Sequence, residues 1–359
     1  MRSLNLLLLL LPFLFVQCKK ETAVVSTASM YFPPIGNAGW ETTTPASLGW
    51  SEAALNDVYS LLEQKKTKAF IILKNGRIVS EKYFGSFTTD SSWYWASAGK
   101  TLTAFLVGIA QQEGKINIDA RTSQYLGTGW TAAPLAKENL ITVRHQLSMT
   151  SGLDDMAATG ADCTLPSCLQ YKADAGTRWS YHNAPYTLLE KVVEAATGTS
   201  YNAYFQQKIR DRIGMNGLWV KVDNNNVYFS TPRSMARFGL LMLNKGKWNS
   251  TSIFSDTTYF NNLVNSSQTL NPSYGYLTWL NGKGSYMMPT LQFSFNGNLV
   301  PNAPTDMYAA LGKNDQKLYV VPSQQLVIIR MGESAGNSML AASTFDNELW
   351  GKLKTLLKY

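Results

Sequence analysis

The chain has 359 residues, of which 45% are hydrophobic, 12% aromatic and 16% charged, with a formal net charge of +8. That balance excludes a disordered tail protein and allows one large core or two closely joined lobes. Lysines and arginines are scattered apart from Lys19-Lys20 and Lys65-Lys66, so nucleic acid is a poor partner and only a mild attraction to anionic surfaces is expected.

The chain opens with Arg2, an apolar run from Leu6 through Val16, and Gln17-Cys18. A positive residue followed by a short apolar core reads as a secretory signal, too short to span a bilayer comfortably. The run Leu14-Phe15-Val16-Gln17-Cys18 resembles a bacterial lipobox, which implies that Cys18 is lipidated and opens the mature protein. Gln17 departs from the small residue usual at that position, and a plain signal cleaved elsewhere is the alternative. The expectation is an exported cell-envelope protein that meets the membrane through an N-terminal lipid anchor alone. Residues 19 to 48, rich in Thr, Ala, Ser, Pro and Gly, read as a tether, and the folded domain is expected from 49 to 359.

A helix follows from Ser51, with Leu55, Val58, Tyr59 and Leu62 on one face. Residues 69 to 84 spell a β-hairpin whose tight turn is Asn75-Gly76. Beyond Trp93-Tyr94-Trp95 comes a second amphipathic helix, with Leu102, Phe105, Leu106, Ile109 and Ala110 on its buried face and Gly114 at its end. Ser97 then lies at the helix N-terminus, and Lys100 one turn along on the same side. A serine hydroxyl needs a base to become a nucleophile, and a lysine serves when burial disfavours its ammonium form. The helix N–H groups can hold an oxyanion. Lys100 is the only lysine with a serine three residues before it. The bland reading is a serine N-cap with a solvated lysine.

Residues 115 to 290 look mainly helical with long loops, with helices starting near Thr142, Pro185 and Thr231. Cys163 and Cys168 are expected to form a small loop disulfide, as suits an exported protein. The two histidines, His145 and His182, make no ligand cluster with them, and no metal or cofactor is implied. Tyr181-His182-Asn183 precedes a helix start. The tyrosine hydroxyl can relay a proton, and the asparagine amide can orient a substrate carbonyl or the lysine. A second Tyr-x-Asn, Tyr259-Phe260-Asn261, sits in a polar stretch. Strands are expected at 307–311, 318–321 and 326–331, and a last helix from 339 to 357. Strands at both ends around a helical middle predict an α/β (α+β) fold, one sheet completed by both termini with a helical lobe inserted. Gly332-Glu333-Ser334-Ala335-Gly336 matches the nucleophile elbow of α/β-hydrolases. That fold places its histidine after the serine, and no histidine follows Ser334.

Ser97-Ala98-Gly99-Lys100 followed by Tyr181-His182-Asn183 resembles the serine β-lactamase and penicillin-binding-protein superfamily, closest to its class C-like branch of esterases, peptidases and amide hydrolases. Ile141 to Leu153, Arg233 to Gly239 and Tyr274-Gly275-Tyr276 support the resemblance, which spans roughly residues 45 to 357. It implies a β-lactamase-like antiparallel sheet and an acyl-enzyme route on a small-molecule or peptide substrate. Ser97 would attack, Lys100 take the proton and Tyr181 serve the leaving group. Asn183 would position substrate or lysine, and backbone N–H groups of Ser97 and the strand near Gly312 would hold the oxyanion. The family's Lys-Thr-Gly or His-x-Gly is replaced by Gly312-Lys313-Asn314-Asp315, where Lys313 could meet a substrate carboxylate unless Asp315 neutralises it. A catalytically idle envelope binding protein with the same fold is the alternative.

Overall fold

The computed structural model describes residues 29–359 apart from 37, 38, 159 and 337–341. Cys18, the signal segment and the expected start of the last helix at 339 lie outside the described residues. Ser51 caps helix α1 (Glu52–Gln64) by accepting from the Ala54 N–H, and Leu55, Val58, Leu61 and Leu62 face inward. Strands β1 (Thr67–Lys74) and β2 (Arg77–Tyr83) form the expected hairpin. Its turn holds Asn75 at φ 50° and Gly76 at φ 78°, the positive pair that Asn-Gly supplies most cheaply. A Cβ on Gly76 would fall 1.9 Å from the Tyr31 carbonyl oxygen, so the glycine also admits the lead-in chain.

That lead-in corrects the expected boundary. Tyr31 N–H donates to Asn75 O, Thr43 N–H to Ile78 O and Ile78 N–H to Glu41 O, while Arg237 donates to the Pro33 and Pro34 carbonyls. From Tyr31 onward the stretch read as tether is strapped to the domain.

After β3 (Trp93–Tyr94) comes α2 (Gly99–Gln112), whose residues from Gly99 to Ala110 are all buried. The inserted lobe contains helices, as expected, including α3 (Asn183–Thr187), α4 (Leu189–Thr197) and α5 (Pro232–Leu243). It also contains strands β4 (Leu218–Val222) and β5 (Asn225–Ser230), which the mainly helical reading missed. They join β3 in a three-stranded sheet ordered β3-β5-β4, with Tyr94 opposite Phe229.

The chain then returns to the main sheet through β6 (Trp279–Leu280), β7 (Tyr308–Gly312), β8 (Gln316–Val321) and β9 (Leu326–Gly332). The six strands run β2-β1-β9-β8-β7-β6, each neighbour antiparallel, so both chain ends complete one sheet. Side chains alternate between its faces. On one face Leu318 and Val327 meet α5 at Gly239, where a Cβ would come within 2.4 Å of Val327. On the other, Lys317 and Tyr319 reach the last helix, α6 (Thr344–Leu357). Its Asp346 accepts from Lys317 Nζ at 2.7 Å and from the Tyr319 hydroxyl at 2.6 Å.

Lys317 and Asp346 are buried, so removing one leaves a charge in low dielectric. Asp346→Ala is expected to lower unfolding free energy by about 3 kcal/mol, read as an earlier urea midpoint at unchanged slope.

Candidate active site

The turn that carries Ser97 is fixed from both sides. Trp95 N–H donates to Tyr228 O, and the Trp95 indole donates to Ser230 Oγ at 2.8 Å, which extends the β3–β5 pairing to the turn. Ala96 follows at φ 47°, a left-handed conformation that costs an L-residue of order 1 kcal/mol and gathers at functional turns. Residues Ala96–Ala98 form a 3-10 turn that runs into α2. No side chain caps either helix, so Ser97 is not the N-cap of the bland reading.

Lys100 Nζ stands 3.3 Å from Ser97 Oγ. The lysine is 3% exposed, packed 4.0 Å over the Tyr186 ring and 5.2 Å over the Tyr181 ring. Among the described residues no carboxylate lies within ion-pair distance of it. Burial therefore pushes its pKa down to about 7, against a smaller upward pull from Asp162. The Tyr181 ring stacks on Trp279 at 5.9 Å and meets Tyr274 edge-on. Burial raises the Tyr181 pKa well above the usual phenol value, with the nearby Ser97 hydroxyl pulling weakly the other way. It remains a proton donor at neutral pH.

Gly312 closes the other side. A Cβ there would lie 2.4 Å from Trp95 O, 2.9 Å from Ala98 N and 3.2 Å from Ser97 N, so only glycine lets β7 run against the nucleophile turn. The structure thus brings Ser97, Lys100, Tyr181 and Gly312 together. Ala96, Ser97, Lys100, Asp162, Asn183 and Lys313 line one cleft of about 390 Å³, with Tyr186 and the Val222–Val227 hairpin as further wall.

Asn183 donates through Nδ2 to Asp162 Oδ1 at 2.6 Å, a partner the sequence did not suggest. Tyr186, the other lysine-facing ring, follows Asn183 by three residues on the same helix, a spacing that could have marked it. Lys313 is exposed at the cleft, but Asp315 does not neutralise it. That carboxylate is buried against Lys317 at 3.1 Å, the Ser343 hydroxyl at 2.6 Å and the Ala335 N–H at 2.9 Å. Cys163 and Cys168 are joined, with Cα atoms 5.9 Å apart.

The competing candidates have other work. Ser334 donates to Gly336 O at 2.6 Å. Tyr259 donates to Ala104 O from within the core. His145 completes a capping box with Thr142. His182 is 2% exposed, and burial depresses its pKa to about 4.

Fold and site together define a serine-hydrolase scaffold with a buried lysine beside Ser97. The Beta-lactamase family model matches residues 61–348, well over half of the chain, and the chain belongs to that family. It is 30% identical over 138 residues to Penicillin-binding protein 4 of Amycolatopsis lactamdurans, a match covering 36% of this chain and 36% of that protein. The chain thus spans about a third of the length of that relative. Among solved structures, a provisional beta-lactamase from Bacteroides dorei DSM 17855 superposes with a TM-score of 0.68 at 16% identity, covering 86% of this chain and 100% of the other. A provisional 6-aminohexanoate-dimer hydrolase from Bacillus anthracis gives a TM-score of 0.63 at 20% identity, with 82% and 79% covered. At these identities the likeness establishes the fold.

Because unfolded Lys100 has the higher pKa, near 10.4, the unfolded state takes the proton first as pH falls. The native state therefore loses stability between about pH 10 and 7 and no further below, since 7 is the folded value. Lys100→Met removes this dependence. Its melting temperature relative to the parent is expected to rise as pH falls from 10 to 7 and to level off below, in scanning calorimetry at matched ionic strength.

Proposed function

We propose that the protein is an exported serine hydrolase that works through an acyl-enzyme on an ester, amide or peptide bond. The observation that carries the reading is a buried lysine, with no carboxylate at ion-pair distance among the described residues, 3.3 Å from a serine hydroxyl at a cleft. Neutral Lys100 accepts the Ser97 proton as Oγ attacks the substrate carbonyl. The oxyanion falls to the Ser97 N–H and to an N–H of the strand abutting it at Gly312. Tyr181 gives its proton to the departing oxygen or nitrogen and recovers one from Lys100. Water then attacks the acyl-serine and releases the acid. No cofactor enters this scheme. Export and lipidation at Cys18 rest on the N-terminal sequence alone and are tested by partition of the mature protein into detergent.

Lys313 tunes the substrate without sharing the chemistry. It is a point charge at the cleft rim, suited to an anionic group, and it stands in Gly-Lys-Asn-Asp where relatives with strong carboxylate recognition carry Lys-Thr-Gly. An ester, a D-alanyl dipeptide and a cephalosporin assayed side by side separate the substrate classes.

Fluorophosphonate labelling with peptide mapping should place the adduct on Ser97 alone. An adduct on Ser334, or equal labelling of Ser97→Ala, overturns the assignment, and no adduct at all favours an idle binding protein.

On p-nitrophenyl butyrate, Lys100→Ala should abolish nearly all turnover. Lys313→Ala should stay within about tenfold of the parent, 1.4 kcal/mol in transition-state terms. For the parent, kcat/KM should climb with pH along a limb centred near 7, the value burial gives Lys100.

A further inference from the structure

The two rings that cover Lys100 differ in what their hydroxyls do. Tyr181 stands 5.2 Å from the lysine Nζ, and the hydrolase reading assigns its hydroxyl to the leaving group. Tyr186 is nearer, with the centre of its ring 4.0 Å from Nζ, and its hydroxyl is engaged elsewhere. It pairs at 3.4 Å with Thr103 Oγ1, which in turn pairs at 2.7 Å with the Tyr201 hydroxyl.

Thr103 follows Lys100 by three residues on α2, one turn along the same face. Tyr186 therefore lies along that helix, its ring over the lysine and its hydroxyl at the threonine. The helix that carries it, α3, is pinned at the two preceding residues. Gln146 donates to Pro185 O at 2.7 Å, and the Ala184 N–H donates to Ala161 O at 2.9 Å. Tyr186, Thr103 and Tyr201 are all buried, and Tyr201 packs edge-on against Trp219 at 5.4 Å. Burial raises the pKa of the Tyr186 hydroxyl, with the Thr103 contact pulling the other way, so the ring stays neutral near neutral pH. It can neither take the serine proton nor act as a counter-ion. What it offers the lysine is the negative face of its π system, which attracts an ammonium within about 6 Å, most strongly where water is excluded.

We propose that Tyr186 is a positioning residue, whose ring holds Lys100 Nζ beside Ser97 and stabilises the ammonium formed when the serine proton crosses to it. The inference rests on the hydrolase reading above. As Ser97 Oγ bonds the substrate carbonyl carbon, its proton passes to Nζ and the carbonyl π pair moves to the oxygen. A carboxylate in the place of the ring would stabilise the same ammonium but would keep the lysine charged at rest. A ring attracts the charge more weakly, which suits a base that is neutral before the step and charged after it. Besides Ser97 and the two rings, the charged groups along the cleft are Asp162 from the disulfide loop, Asp223 from the turn between β4 and β5, and Lys313 beyond β7. Of these, Asp162 pulls the Lys100 pKa upward, and all three are left in place by substitution at Tyr186.

The test compares Tyr186→Phe and Tyr186→Leu with the parent, with melting temperatures to confirm folding. The Lys100 titration is followed directly by NMR of protein isotope-labelled at lysine Cε, its signal assigned by loss in Lys100→Met. In parallel, kcat/KM on p-nitrophenyl butyrate is measured from about pH 5 to about pH 9, on either side of the Lys100 value. Tyr186→Phe keeps the ring and loses only the hydroxyl. Its titration and its acid limb should match the parent's, with the plateau within about threefold. Tyr186→Leu removes the π face and keeps the site apolar. Its titration and limb should both move to lower pH by about one unit, with a plateau about tenfold lower. If that variant does not fold, Tyr186→Met, closer in bulk, takes its place with the same expectation. A structural role alone would lower the melting temperature and leave the limb where it is. A folded Tyr186→Leu whose Lys100 titrates with the parent's, or at higher pH as entering water would cause, overturns the proposal. So does a Tyr186→Phe displaced as far as Tyr186→Leu, which would assign the effect to the hydroxyl. Fluorophosphonate labelling of the parent at Ser97 reads the hydrolase assignment separately. Without that adduct the hydrolase reading fails, while the NMR titration still decides whether the ring acts on the lysine.

Discussion

The candidate site depends on one ammonium group being taken out of water without an acid beside it. Lys100 sits on a helix whose first twelve residues are buried, under two tyrosine rings and with a serine hydroxyl as its hydrogen-bond partner. Lys317, in the same chain, is buried as deeply but has Asp315 and Asp346 within 3.1 Å. The contrast separates a base from a strut. A buried lysine matched by carboxylates holds elements together, whereas one left without them has its pKa pushed down toward neutrality.

The strut and the base are also mechanically joined. The segment after Gly312 runs through Asn314 and Asp315, both left-handed at φ 59°, a pair of residue types that tolerate that conformation. Arg330, buried behind the sheet, donates to both of their carbonyls at 3.0 Å, and Asn314 Nδ2 donates to the Tyr94 hydroxyl on the strand leading to Ser97. Gln316 adds hydrogen bonds in both directions to the Gly332 backbone. Charges on the rear face of the sheet thereby hold the front edge of the cleft at a fixed separation from Ser97.

What was legible in the sequence was local. The Asn75-Gly76 hairpin, the α1 and α2 faces, the three C-terminal strands and the Ser97–Lys100 spacing each follow from residues a few positions apart, and each stands within a residue or two of its expected place. What was not legible required distant partners. The β4–β5 hairpin hides in a run of asparagines, and its value lies in pairing with Trp93 and Tyr94 more than a hundred residues earlier. Asp315 reads as a neighbour of Lys313, yet it lies in the left-handed turn before β8 and faces inward to Lys317. Asp162 carried no signal of its own, because its contact with Asn183, twenty-one positions later, forms only in the fold.

The lead-in strap also gives the molecule a polarity. Tyr31 meets the chain at Asn75, whose N–H bonds Gln325, and this is the turn end of the β1–β9 pair, where Lys74 faces Leu326. Ser97 belongs to the opposite end, where Thr67 faces Gly332. Eight residues of β1, roughly 25 Å of extended chain, separate the two. The lead-in chain therefore enters the domain at its hairpin pole, with Ser97 at the other end of the sheet.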